Sequence, residues 1–69
     1  MMESRTVSEL ESEIIDRLLA SEEGLSVDEI AEQMDLSRWL ADALVVRLIK
    51  RDRVDMDIHA TPLRIKAIL

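Results

Sequence analysis

A chain of 69 residues with a net charge of −6 and no cysteine forms one domain at most, has no disulfide, and would gain stability from self-association or a partner. Its longest uninterrupted apolar run covers only Ala43 to Val46, far short of the roughly 20 residues that a membrane span needs, and its first residues show no signal region. We therefore expect a single cytoplasmic domain over 1–69, with residues 1–7 as a flexible arm and no role at a membrane.

The first predicted helix runs from about Ser8 to Ser21. Its apolar residues form one stripe at helical spacing: Leu10, Ile14, Ile15, Leu18 and Leu19. Two capping boxes compete for its start, namely SELE, in which Ser8 is the N-cap and Glu11 reaches back, and TVSE, which begins two residues earlier. Gly24 is expected to end this segment by adopting a positive φ.

The second and third predicted helices each begin at a serine cap. In SVDE, Ser26 is the N-cap and Glu29 completes a capping box, whereas Ser37 begins a third helix that runs from Arg38 to about Arg51. The predicted core residues of the second helix are Ile30, Ala31 and Met34. At 100° per residue, those of the third are Leu40, Ala41, Leu44, Val45 and Leu48. The opposite side of the third helix carries Trp39, Ala43, Val46 and Lys50, with Asp42 and Ile49 at its margins.

After Arg53 the apolar residues alternate instead of following a helical period. The first alternating segment has its apolar residues at Val54, Met56 and Ile58, and the second, after HATP, at Leu63, Ile65 and Ala67. Two such segments joined by a short polar link predict a β-hairpin. The alternative is a short C-terminal helix over 63–69, capped at Thr61 with Pro62 at its first position.

The stretch VDEIAEQMDLSRWLADALVVRLIKRDRV, over 27–54, resembles the winged helix-turn-helix superfamily. The resemblance rests on small Ala31 at the helix crossing, on Val54 at the start of a wing strand, and on six apolar positions: Ile30, Met34, Leu36, Ala41, Leu44 and Leu48. It implies a mainly α (α+β) fold of three helices followed by a C-terminal β-hairpin wing. Asp35 and Asp52 stand where the family usually has glycine, and aspartate tolerates the left-handed conformation that these turns need.

The outer face of the third helix departs from the family pattern. DNA-binding members present hydrogen-bonding side chains there, because base edges and phosphates are recognised by hydrogen bonds. An apolar stripe anchored by tryptophan is typical of a protein interface. We therefore predict a non-enzymatic regulatory or adaptor protein in a transcription-linked setting, which binds a protein partner or a second copy of itself. Its predicted contact residues are Trp39, Asp42, Ala43, Val46 and Ile49.

Two alternatives remain for this stripe and its surroundings. Trp39 could fold over the second helix or the N-terminal segment, and the wing or residues 1–7 could cover Val46 and Ile49. Alternatively, the chain is a DNA-binding transcriptional regulator, because residues 37–69 carry seven bases and four acids whereas 1–36 carry two bases and eleven acids. Its candidate DNA contacts are Arg38, Arg47, Lys50, Arg51, Arg53, Arg64 and Lys66. Bases at the end of a helix also simply complement its dipole.

The composition offers little for catalysis. One histidine, no cysteine, no tyrosine and a single glycine leave almost no means of building a nucleophile, a general base and an oxyanion site. We expect no enzymatic activity, no cofactor, no metal and no small-molecule substrate. In DMDIH, alternation would put Asp55, Asp57 and His59 on one strand face and so suit a cation, but a polar wing face explains the same pattern more simply.

Overall fold

Three helices followed by an antiparallel hairpin make up this structure, a computed structural model that describes residues 5–68. The elements are α1 Val7–Leu19, α2 Val27–Met34, α3 Arg38–Lys50, β1 Val54–Asp57 and β2 Arg64–Ala67. The predicted mixed α+β layout is confirmed. A strand, and not the alternative helix, follows Pro62. Among the residues described, no helix is both long enough and apolar enough to cross a bilayer.

The start of α1 is set by the earlier of the two competing capping boxes. The Thr6 hydroxyl accepts a hydrogen bond from the Glu9 N–H at 3.1 Å, and the Glu9 carboxylate accepts one from the Thr6 N–H at 3.1 Å. Of the two competing boxes, the one between Ser8 and Glu11 does not form. Glu11 does not cap this end of the helix, so its carboxylate is available to contact another element.

The predicted arm over 1–7 is described only in its second half. Residues 1–4 lie outside the described part of the chain. Arg5 forms an ion pair with Glu13, Thr6 is the N-cap of α1, and Val7 is the first residue of that helix. Residues 5–7 therefore belong to α1 and its cap.

Three residues turn the chain with a positive φ, two of them at the predicted ends of α2 and α3. The prediction that Gly24 ends α1 is wrong, because that helix ends at Leu19 with Ala20 as its C-cap, and Gly24 turns the following loop. Gly24 has a φ of 80°, Asp35 of 55° and Asp52 of 57°. The two aspartates confirm the expectation that this residue type replaces glycine in the turns after α2 and α3. At Gly24 glycine is also required by space, because an added Cβ would lie 2.4 Å from the Ile65 carbonyl oxygen.

The hairpin register places apolar pairs on one face and opposite charges on the other. The paired residues are Val54 with Ala67, Asp55 with Lys66, Met56 with Ile65, and Asp57 with Arg64. Val54 and Ile65 are buried against the helices. Each acid on the other face stands opposite a base, which favours this register over a slip by one residue. A bridge between Leu25 and Ile65 joins the loop before α2 to the other edge of β2.

One apolar core joins the three helices and the hairpin. Its buried members are Leu10, Ile14, Leu18, Leu25, Ile30, Ala31, Met34, Ala41, Leu44, Val45, Leu48, Val54 and Ile65. These include most of the predicted core positions. Leu19, which was predicted in the α1 stripe, is exposed, because it lies 100° around the helix from buried Leu18. Ile15 and Leu40 pack against the core but are only partly buried.

Candidate protein-binding face of the third helix

The outward side of α3 carries a straight row of side chains that residues 5–68 leave largely uncovered. This row, here called the outer stripe, consists of Trp39, Ala43, Val46 and Lys50 and extends about 16 Å along the helix. Trp39 is 73% exposed and Val46 40%. Ala43 and Lys50 are also exposed. Trp39 therefore does not fold over α2 in the described structure, contrary to the alternative that made it part of the core.

The outer stripe lies where it does because the opposite side of α3 is buried. Ala41, Leu44 and Leu48 are each no more than 2% exposed, and their spacing of three and four residues places them on one side of the helix. Side chains offset from them by about half a turn must then face solvent. The sequence prediction of the outer stripe followed from this same geometry.

The two predicted margin residues differ from each other. Asp42 is exposed beside Trp39, and no ion pair joins it to another residue in the range 5–68. Ile49 is half-buried and packs against the core, so only part of its side chain is available to a partner. Four of the five predicted contact residues are thus exposed, and the fifth is shared with the core.

A buried carboxylate lies on the α1 side of α3, and the sequence analysis did not find it. Glu11 is only 5% exposed. Its carboxylate accepts hydrogen bonds from Arg47 Nε at 3.3 Å and from Arg51 Nη1 at 3.2 Å. We refer to these three residues as the Glu11 cluster. A signal was available, because Glu11 shares a helical face with Ile14 and Leu18, where an acid needs a partner.

Most of the bases proposed for DNA binding are engaged within the chain. Four of the seven form ion pairs between described residues: Arg38 with Asp28 at 2.9 Å, Arg47 and Arg51 with Glu11, and Arg64 with Glu29 at 3.4 Å. Arg64 also donates to the Gly24 carbonyl at 3.1 Å. Within the same range, the bases without a carboxylate partner are Lys50, Arg53 and Lys66. The charges of these four candidate DNA contacts are therefore largely offset by carboxylates of α1 and α2.

Glu29 fixes a negative charge at the N-terminus of α2. Its carboxylate accepts a hydrogen bond from the Ser26 N–H at 2.9 Å, and this contact lowers the pKa of Glu29 below its usual range. Desolvation offsets part of that effect, while the Ser26 hydroxyl and the positive charge of Arg64 add to it. The carboxylate form is thereby favoured beside the positive end of the helix dipole.

The acidic residues of the hairpin do not assemble with His59. Strand β1 ends at Asp57, so His59 lies in the turn, and the prediction that it shares a strand face with Asp55 and Asp57 is wrong. The Asp57 carboxylate instead accepts a hydrogen bond from the His59 N–H at 3.0 Å, and that of Asp55 accepts one from the Met56 N–H at 2.9 Å. Within the described chain, no three potential metal ligands come together.

Comparisons with known proteins identify no relative: no family model, no curated protein and no solved structure matches this chain. The resemblance to winged helix-turn-helix proteins therefore rests on the stretch 27–54 and on the order of the elements. Any function has to be inferred from the geometry and chemistry of the described residues.

Proposed function

We propose that this chain is a winged helix-turn-helix protein that acts as a non-enzymatic adaptor or regulator and binds a protein through the outer stripe of α3. The observation that carries the proposal is the exposure of Trp39, which is 73% accessible on an otherwise well-packed helix. Tryptophan is enriched among the residues that contribute most to protein interfaces. A transcription-linked setting is the one that the family resemblance suggests.

The chemistry of the outer stripe suits protein better than DNA. Trp39 offers a single N–H donor, and Ala43 and Val46 offer no hydrogen-bonding side chain at all. Base edges are recognised mainly by side chains that donate or accept two hydrogen bonds at once. Asp42, at the margin, would repel a phosphate backbone. An apolar row with a charged rim is the usual arrangement of a protein interface.

DNA binding is the second candidate, and the unpaired bases Lys50, Arg53 and Lys66 support it. Three phosphate contacts would give a plot of log K against log salt with a slope of only about −2.7, so binding would be weak at physiological salt. Additional phosphate contacts would have to come from arginines whose charge is already partly offset by Glu11, Asp28 or Glu29.

The proposal is tested with the double variant Trp39→Ser, Val46→Lys. The two positions lie two helical turns apart on the outer stripe, away from the core, so the variant should keep its circular dichroism spectrum. Loss of one central aromatic anchor typically costs ~2 kcal/mol or more, which weakens association at least tenfold. A matched control is Ile58→Ser, Leu63→Lys, which removes exposed apolar surface from the hairpin instead.

Association is detected with a photoreactive benzophenone side chain at position 43 and, as a reference, at exposed position 22. Position 43 should yield an adduct with another polypeptide, either a different protein or a second copy of the chain. The double variant should lose this adduct, and the hairpin control should keep it. If no adduct forms and the unlabelled chain does not self-associate, the proposal is wrong. Retardation of a random DNA duplex that Lys50→Gln and Arg53→Gln weaken would favour the second candidate.

A further inference from the structure

The spacing of the residues in the outer stripe is the same from either end of the helix. Its members follow one another at intervals of four, three and four residues, from Trp39 through Ala43 and Val46 to Lys50. If a second copy of α3 lies antiparallel across it about a two-fold axis, Trp39 of each copy is level with Lys50 of the other. Ala43 is then level with Val46. A two-fold interface requires this kind of self-complementarity.

Each of these pairings is chemically favourable. A lysine ammonium over the face of an indole is attracted by the ring, so Lys50 and Trp39 form a cation–π contact across the interface. The small Ala43 allows the two helix axes to approach closely, and Val46 of the other copy fills the space beside it. The antiparallel arrangement also places the positive end of one helix dipole beside the negative end of the other.

The charges that are left over on this side of α3 point to the same arrangement. Asp42 lies at its N-terminal end and Lys50 at its C-terminal end, and neither has an ion-pair partner among residues 5–68. The two are eight residues apart, about 12 Å along the helix, and therefore too far apart to pair within one chain. In the antiparallel dimer Lys50 reaches both Trp39 and Asp42 of the second copy, which lie one turn apart.

We propose that the partner of the outer stripe is a second copy of this chain, in an antiparallel two-fold dimer through α3. The proposal rests on the proposed function, because it names the protein that the stripe binds. A parallel two-fold dimer is disfavoured, since it would bring the two copies of Lys50, near the centre line of the stripe, together. The four-residue stripe makes a small interface, so the dimer is weak and reversible.

Charge exchange between positions 42 and 50 tests the arrangement. Sedimentation of the purified chain at concentrations up to about 1 mM should reveal a dimer, this range being needed because small interfaces are typically weak. Lys50→Glu places two carboxylates together at both ends of the interface, and Asp42→Lys places two ammonium groups together. Each single variant should weaken the dimer about tenfold or more.

Rescue is the decisive measurement. An equimolar mixture of the Lys50→Glu and Asp42→Lys chains should dimerise, because opposite charges then meet at both ends. The double variant Asp42→Lys, Lys50→Glu should dimerise more strongly than either single variant but less strongly than the unmodified chain, because Glu at position 50 pairs with Lys at position 42 yet makes no cation–π contact with Trp39. The neutral variants Asp42→Asn and Lys50→Gln should lose less than the reversals, and circular dichroism reports whether every variant is folded.

The outcomes separate this inference from the proposed function. Single variants that dimerise as the unmodified chain does would overturn the antiparallel arrangement. In a parallel dimer position 50 already faces its own copy, so reversing its charge leaves the repulsion between like charges unchanged. Variants that weaken without rescue would overturn it as well. A chain that stays monomeric throughout would overturn the dimer, and an adduct between position 43 and a different protein would then leave the proposed function standing. A chain that stays monomeric and forms no adduct would remove both.

Discussion

The two sides of α3 differ in what they bury: a charged side chain is buried on one side, and an aromatic side chain is exposed on the other. Towards α1, the carboxylate of Glu11 is 5% exposed and contacts two arginines. Towards solvent, the indole of Trp39 is 73% exposed. A buried charge and an exposed aromatic side chain are both unfavourable unless something offsets them. The arginines offset the first within the chain. Nothing described in the chain covers the second, and this contrast supports the proposal that a partner binds the outward side.

The largest loss of stability is expected when a core-facing side chain of α3 is truncated. Leu44→Ala removes a side chain that is 2% exposed and leaves a cavity, so the free energy of unfolding should fall by about 2–5 kcal/mol. Val46→Ala, two positions away on the outer stripe, should change it by no more than about 0.5 kcal/mol. Chemical denaturation measures both. Similar losses at the two positions would mean that α3 is rotated about its axis relative to the structure described.

A smaller loss is expected at the Glu11 cluster. Glu11→Gln keeps the shape of the side chain but removes the charge that two guanidinium groups contact, and hydrogen bonds to charged groups typically contribute about 1.5–3 kcal/mol. Because Arg47 and Arg51 are each about half exposed, we expect a loss near the lower end of that range. Glu23→Gln, at an exposed position in the loop after α1, is the matched control and should be nearly neutral. If the two variants unfold alike, the cluster does not stabilise the α1–α3 junction.

Features determined within a few residues of the chain could be predicted from the sequence. The Ser26 cap, the left-handed turns at Asp35 and Asp52, and the alternation that gives the hairpin all depend on near neighbours. The outer stripe could be predicted as well, because a core on one side of a helix leaves the other side outside.

The features that could not be predicted depend on contacts between distant residues. SELE and TVSE satisfy the same local capping rule, so the local pattern alone does not decide between them. In the structure, the Glu11 carboxylate contacts Arg47 and Arg51, which follow it by 36 and 40 positions. It is available for these contacts because Thr6 caps the helix. Counting Arg47 and Arg51 as free cations for DNA followed from the same omission. His59 was misplaced because alternation alone did not show that β1 ends at Asp57.

The smallest effect is expected at Glu29, a carboxylate that contacts an arginine of the hairpin without being buried as Glu11 is. The hydrogen bond from the Ser26 N–H is the main cause that lowers the pKa of Glu29. Desolvation raises this pKa, and the Ser26 hydroxyl and the charge of Arg64 lower it further. A carboxyl whose pKa is lower in the folded state stabilises the fold above its unfolded pKa, and that contribution is lost as the pH falls through the folded pKa.

A carbon-detected NMR titration should therefore give Glu29 a pKa below its usual range. Ser26→Ala, which removes the hydroxyl but keeps the backbone donor, should raise it part of the way, and Arg64→Gln should raise it less. A larger rise in Arg64→Gln would mean that the ion pair with the hairpin, and not the capping box, stabilises the charge of Glu29, as the arginines do for Glu11.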